Sequence, residues 1–380
     1  MSTIIVGADI APTRSNFELF QEGNMKTLLG RDLYTFLRKA DYTIFNLETP
    51  LTDRETPIIK YGPNLAAPTN VINGLKNINP YFFTLANNHI LDQGIEGLYS
   101  TINILKENKI AYSGAGSNLK DAEQPYIVTL GNIRVGIYCC TENEFSIAAE
   151  NDAGANPYDP LVSFDSVKQL KKECDYLIVL YHGGREQYRY PSPMLRRIFR
   201  KFADSGADIV IAQHTHCIGS REKYLDSTLV YGQGNFLFDY ADNEYWNTSL
   251  LIKIEIEYGR KEADISYIPL CKKGNAVRLA CKKEADRILQ EFEDRSIEIK
   301  ETGRVEKKYR DLSKKYEKKY YSHFFGRMGQ SIIVRGINKI SGNALLRFNY
   351  PSKLLPSIEN CIECESHREL ILTILREGRK

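Results

Sequence analysis

Seven short apolar runs, continuous rather than alternating, most constrain how this chain can fold. They are 3-TIIVGAD-9, 42-YTIFNLE-48, 81-YFFTLANN-88, 134-RVGIYCC-140, 176-YLIVLYHGG-184, 209-IVIAQH-214 and 228-TLVYGQGNF-236. Each is rich in Ile, Val, Tyr or Phe and has the length of one strand. Helical spacing fills several gaps. In 94–110, Ile95, Leu98, Ile102 and Leu105 share a face, and 193–207 opens on a proline and closes on a glycine. Strand–helix alternation predicts an α/β fold. Runs without polar alternation predict strands covered on both faces.

Beyond this region the pattern changes. Residues 249–270 alternate apolar and polar around a Tyr-Gly-Arg-Lys break, which predicts a half-exposed antiparallel hairpin. From about 282 to 323 Lys, Glu, Arg and Tyr recur at helical spacing, predicting one or two long amphipathic helices. The stretch 366–380 reads as a last helix, with Ser366 as N-cap and Glu369 completing a capping box. Charge divides the same way: residues 1–275 carry a net −5 and residues 276–380 a net +8. The expected organisation is a domain of 1–275 and a basic, mostly helical extension of 276–380 packed on it. The Tyr-rich segment 309–325 is expected to pack an aromatic face on that domain rather than stack on sugars or bases.

Polar residues close the apolar runs. Asp9 ends the first, and Asn46 and Glu48 the second. Asn87, Asn88 and His89 end the third, with Asp92 a turn later. The fifth gives His182, Arg185 and Glu186, the sixth His214 and His216, the seventh Asn235. In an α/β sheet the C-terminal strand ends share one edge, where ligands bind. His-x-His alone is a weak signal. Its recurrence with carboxylates at successive strand ends predicts a site for a divalent metal, Mn, Fe or Zn, as one or two ions. Two further motifs carry less. Gly114-Ala115-Gly116 reads as a turn, not a dinucleotide fingerprint. Cys361-x-x-Cys364-x-x-His367 offers three zinc-type ligands without an obvious fourth.

The ordered set 7-GAD-9, 46-NLE-48, 86-ANNHILDQG-94, 114-GAG-116, 182-HGGRE-186, 213-QHTHCIG-219 and 231-YGQGNF-236 resembles the CapA (capsule or poly-γ-glutamate synthesis) family of the calcineurin-like metallophosphoesterase superfamily. The resemblance spans roughly residues 3–240. It implies a four-layer sandwich, two mixed sheets flanked by helices. It also implies roles. Asp9 is similar to the first-strand metal ligand, Glu48 to the bridging carboxylate, and Asn88 to the family's Asn ligand. His182, His214 and His216 resemble the imidazole ligands, and His89 the general acid, with Asp92 orienting it. The superfamily's first motif is Asp-x-His. Here it is Asp9-Ile10-Ala11, and the bridging position is Glu within Asn-x-Glu.

These readings predict a metal-dependent hydrolase of phosphoesters, or of amides, in capsule, surface polysaccharide or polyglutamate metabolism. The rival is a non-catalytic accessory protein that binds an anionic polymer or a synthase partner through the same cleft. Arg14, Asn16, Lys60, Asn87, Glu142, Asn143, Arg185, Glu186, Tyr190 and Asn235 are the candidates for holding an anionic small molecule or polymer. Arg189 is a further cation at that edge, and Tyr188 and Tyr190 either wall the substrate or pack the loop. A capsule-synthesis partner protein is expected; nucleic acid is not. No apolar run approaches the roughly 20 residues of a spanning helix. The first residues lack the basic start and apolar core of a secretory signal. Eight cysteines then read as reduced thiols, and the expected location is the cytoplasm.

Overall fold

The computed structural model describes residues 1–260, 262–324, 340 and 353–377. Among them the strands are β1 (Ser2–Ala11), β2 (Tyr42–Leu47), β3 (Phe82–Thr84), β4 (Ala111–Ser113), β5 (Ala115–Gly116), β6 (Tyr126–Leu130), β7 (Ile133–Thr141) and β8 (Gly154–Ala155). They continue with β9 (Tyr176–His182), β10 (Ile209–Gln213), β11 (Arg221–Tyr224), β12 (Ser227–Val230), β13 (Asn235–Phe238), β14 (Thr248–Ile256), β15 (Asp264–Lys273) and β16 (Ala276–Leu279). One sheet runs β16-β15-β14-β1-β2-β3-β4, and β13 also pairs with β1. The other runs β11-β12-β10-β9-β7-β6. Both mix parallel and antiparallel pairs.

The helices that cover these sheets are α1 (Phe17–Gln21), α2 (Met25–Arg38), α3 (Ile72–Asn77), α4 (Gly94–Glu107), α5 (Leu119–Ala122), α6 (Ser163–Lys171) and α7 (Pro193–Asp204). Four layers result, because alternate residues of each continuous run face opposite sides. Ile4, Val6 and Ile44 of the first sheet meet Ile137, Ile178, Leu180 and Ile211 of the second between the sheets. Ile5, Phe45 and Phe83 turn outward onto Leu28, Leu29 and Leu33 of α2 and Leu98 of α4. Leu177, Val179 and Tyr181 turn outward onto Val167 of α6 and Phe199 and Phe202 of α7. Each such aliphatic side chain contributes roughly 1.5–3 kcal/mol by leaving water. The expected sandwich of two mixed sheets flanked by helices is what forms. Helix α7 begins as its sequence suggests: Ser192 Oγ accepts from Leu195 N at 3.0 Å, and Pro193 follows.

Two local expectations change. The run 228–236 is not one strand. It splits into β12, in the second sheet, and β13, paired with β1 in the first. Gly232 (φ 145°) and Gly234 (φ 83°) carry the chain across between them. The hairpin β14–β15 forms, but Leu250, Leu251 and Ile252 are all buried, so β14 alternates only from Lys253 onward.

The C-terminal part folds onto this body through α8 (Lys282–Glu298), α9 (Arg304–Phe324), α10 (Leu355–Glu363) and α11 (Glu365–Glu377). Ile288 and Phe292 of α8 pack on Ile218 and Leu250. Tyr309 and Leu312 of α9 pack with Tyr188, Cys361 and Leu370. The side chains from 317 onward in the Tyr-rich stretch, and residues 378–380 of the last predicted helix, lie outside the described residues. That helix starts at Glu365, so Ser366 is not its cap. Glu369 closes no capping box there: its Oε1 accepts from Met194 N at 3.0 Å. All eight cysteines lie among the described residues, and no disulfide joins any of them. No described helix is long and apolar enough to cross a membrane.

Candidate metal centre

The strand ends converge as the topology requires. Asp9 lies in β1, Glu48 follows β2, Asn88 and His89 follow β3, His182 ends β9, and His214 and His216 follow β10. Two groups of ligand-type atoms form, Glu48–His182–His214 and Asp9–Glu48–His216, each with its atoms within 4.8 Å of one another. Glu48 belongs to both. Its Oε1 is 3.6 Å from His182 Nε2 and 3.9 Å from His216 Nε2. Asp9 Oδ2 is 3.8 Å from His216 Nδ1, and Asn88 Oδ1 is 3.0 Å from His182 Nε2.

Surrounding groups fix this arrangement. Asn46 Nδ2 donates to Asp9 Oδ1 at 2.8 Å and lies 3.2 Å from His182 Nδ1. Asn87 Nδ2 donates to Asn46 Oδ1 (3.0 Å) and to the Leu47 carbonyl (2.8 Å). Asn235 Oδ1 lies 2.8 Å from His216 Nδ1, and Trp246 stacks on the His216 ring with centroids 4.6 Å apart. Holding the imidazole from its far nitrogen leaves Nε2 as its ligand atom. His214 and His216 are not on a strand. Both have left-handed backbones, with φ 85° and 50°. Such conformations cost on the order of 1–3 kcal/mol each and persist where the surroundings over-determine them. Here the His214 amide donates to Asp9 Oδ2 at 3.1 Å.

The charge balance fits a divalent cation. Glu48 is fully buried, and neither carboxylate oxygen has a hydrogen-bond partner. Burial, then the Asp9 charge, pushes Glu48 well above the usual carboxylate range. Burial also raises Asp9, against the pull of His216 and Asn46. Burial and neighbouring imidazoles keep His182 well below the usual histidine range. Burial, opposed by Glu186 and reinforced by His216, pushes His214 down to about 3. Neutral His182 and His214 imidazoles beside two buried carboxylates, of which Glu48 has no hydrogen-bond partner, are costly without a cation and suited to one. The donor set, nitrogen and oxygen without sulfur, suits a divalent metal ion.

Beside the centre, His89 Nδ1 lies 2.6 Å from Asp92 Oδ2. Lys60 Nζ is 3.2 Å from the same nitrogen and ion-pairs with Asp92 Oδ1. Burial first, then Lys60, lowers the His89 pKa, and Asp92 opposes them. Lys60, expected at the rim among the substrate-holding cations, is instead a buried cation that supports His89 and Asp92. Other expected substrate contacts are also engaged elsewhere. Asn16 is buried, accepting from Thr13 N at 2.9 Å and donating to the Asn275 carbonyl at 3.3 Å. Tyr190 donates to Glu298 Oε2 and accepts from Lys308 Nζ at 3.1 Å, tying α8 and α9 to the loop. Asn87 and Asn235 orient the centre, as above.

Glu142 Oε1 accepts from Gly184 N at 3.0 Å, and burial followed by Glu365 raises its carboxyl to about 8. Asn143 gives both its backbone and side-chain N–H groups to Glu365 of α11. Arg189 donates to the Ile218 and Glu244 carbonyls at 3.3 and 3.4 Å. Of the remaining three candidates, Glu186 and Arg14 are exposed, and Arg185 is half-buried with its guanidinium 4.9 Å over the Tyr316 ring. Sequence reasoning missed Asn46 as the hub of the centre and Trp246 as its wall. The latter is the single tryptophan of the chain, placed just before β14.

The family model described as bacterial capsule synthesis protein PGA_cap matches residues 3–240. The capsule biosynthesis protein CapA of Bacillus anthracis is 31% identical over 218 residues, covering 55% of this chain and 53% of that protein. The PGA biosynthesis protein CapA of Bacillus subtilis is 29% identical over 213 residues, covering 53% and 54%. A probable polyglutamine synthesis accessory protein of Mycobacterium tuberculosis is 30% identical over 215 residues, covering 53% and 56%. The chain thus spans about half the length of the curated relatives it matches. Among solved structures, a phosphatase from Mycoplasma pneumoniae aligns with a TM-score of 0.47 at 13% identity, covering 72% of this chain and 94% of that one.

Proposed function

Because this chain belongs to the PGA_cap family of bacterial capsule synthesis proteins, we propose that it is a metal-dependent hydrolase, acting on phosphoester bonds in capsule or polyglutamate metabolism. Asp9, Glu48, Asn88, His182, His214 and His216 would hold one or two ions of Mn, Fe or Zn, with Glu48 shared between the two groups. A divalent ion there supplies Lewis-acid polarisation of a substrate oxygen and a nucleophile at neutral pH. The chain's own residues do the rest. His89, anchored at Nδ1 by Asp92, exchanges its proton through Nε2 and delivers it to the leaving oxygen. Asn46, Asn87 and Asn235 keep the ligand side chains in place. Arg185, half-buried in the loop after β9, would attract an anionic substrate. The observation that carries this reading is Glu48, a fully buried carboxylate with no hydrogen-bond partner at the corner of two imidazole–carboxylate groups.

The test is turnover of a chromogenic phosphodiester or monoester, and of an amide, by the full chain loaded with Mn, Fe or Zn. His89→Ala should lower kcat about 10²–10⁴-fold with bound metal unchanged. His216→Ala should lose metal and turnover together. A second reading, a non-catalytic accessory protein that binds an anionic polymer or a synthase, is favoured by one feature: α11 already occupies Asn143 through Glu365. Stoichiometric metal with no turnover of any of these substrates supports that second reading.

A further inference from the structure

We propose a second, thiolate-containing metal site formed by Glu144, Cys364 and His367, for an ion of the zinc class. It goes beyond the centre at Glu48 and shares no ligand with it. One ligand atom from each of the three residues lies within 4.8 Å of the others. Glu144 comes from the loop after β7, Cys364 from the joint between α10 and α11, and His367 from the first turn of α11. The spacing Cys361-x-x-Cys364-x-x-His367 offers Cys361 as a third ligand, but the fold does not use it so. Cys361 joins the apolar cluster with Tyr309, Leu370 and Ile374. Glu144, from a distant part of the chain, takes its place.

The surroundings of Cys364 are polar, unlike those of a thiol acting as a small hydrophobe. It is only 1% exposed, yet its Sγ lies 3.6 Å from Glu142 Oε2 and 3.2 Å from Ser366 Oγ. The two other ligands are held from behind. Asn88 Nδ2 donates to Glu144 Oε2 at 2.9 Å, and Asn360 Nδ2 lies 3.2 Å from His367 Nδ1. Thiolate, imidazole and carboxylate together select zinc over magnesium or calcium, and three protein ligands leave one tetrahedral position for water. An ion here fastens α11 to the loop after β7. The two sites are neighbours through one carboxamide, since Asn88 Oδ1 faces His182 and its Nδ2 faces Glu144.

Cobalt substitution of the full chain tests this directly, because the first centre has no sulfur ligand and only a thiolate gives the near-ultraviolet sulfur-to-cobalt charge-transfer band. The wild type should show the band. Cys364→Ser should lose it together with one equivalent of bound cobalt per chain, and Cys361→Ser should keep it. Glu144→Gln, a milder change, should raise the cobalt concentration at half-saturation of the band about tenfold. Cobalt bound without the band, a band that survives Cys364→Ser or one that is lost in Cys361→Ser overturns the second site. Cobalt bound without the band leaves the centre at Glu48 standing.

Discussion

Lys60 shows how a single residue's role depends on what the fold sets beside it. In the sequence it is a lysine in a proline-flanked stretch, and an exposed rim cation is the natural reading. In the structure its side chain is buried on Asp92 and His89. The sign of its effect follows. Burial and Lys60 both push the His89 pKa down, and Asp92 pulls it up. Removing the Lys60 charge takes away one downward push, so the His89 ring in Lys60→Met should titrate at higher pH than in wild type. Following that ring by NMR across the acid range checks this; an unchanged or lower pKa contradicts the assignment. The convergence of the candidate ligands was legible for a simple reason: each lies at or just past the end of a continuous apolar run, and parallel strands end on a common edge. Asn46, Asn235 and Trp246 were not legible as supports. Their roles depend on register across β1, β2 and β13 and on one ring stack, which no local spacing reports.

Among elements, the crossing from β12 to β13 was the hardest to read. Residues 228–236 look like one strand because β-propensity and apolar pattern are silent about a change of sheet. The signal was the pair of glycines. Gly234 has φ 83°, and a Cβ there would meet the Thr248 carbonyl oxygen at 2.8 Å and Ser249 Cβ at 2.9 Å. Gly234→Ala should therefore destabilise the fold by about 2 kcal/mol or more, read as a lowered urea midpoint. Because Asn235 follows directly, the same variant should weaken metal binding. A variant as stable as wild type would contradict the crossing. The start of the last helix was misread for a related reason. Met194 N, far away in sequence, captures Glu369, so the local capping pattern never forms.

At the scale of the molecule, the account depends on two sheets bringing side chains from five chain segments to one point. An α/β fold with strands covered on both faces was legible in the seven continuous runs, whereas the four-layer sandwich was what the resemblance to the CapA family implied. Packing of the C-terminal helices on the sandwich was expected, but the residues they meet were not legible, because basic amphipathic periodicity shows a helix but not its partner. We propose that these helices and the sandwich form one folded unit: β16 extends the first sheet, α8 covers Ile218 and Leu250, and α9 and α11 close around Tyr188. Convergence itself is tested most directly at Glu48, the residue both ligand groups share. Equilibrium dialysis of the metal-stripped full chain and its Glu48→Ala variant against Mn, Fe(II) and Zn, with bound metal counted per chain, decides it. Tight binding of at least one ion by the wild type, lost in Glu48→Ala while the fold is retained, is the predicted result. Equal binding by both proteins at this centre, or no binding by the wild type, would contradict it.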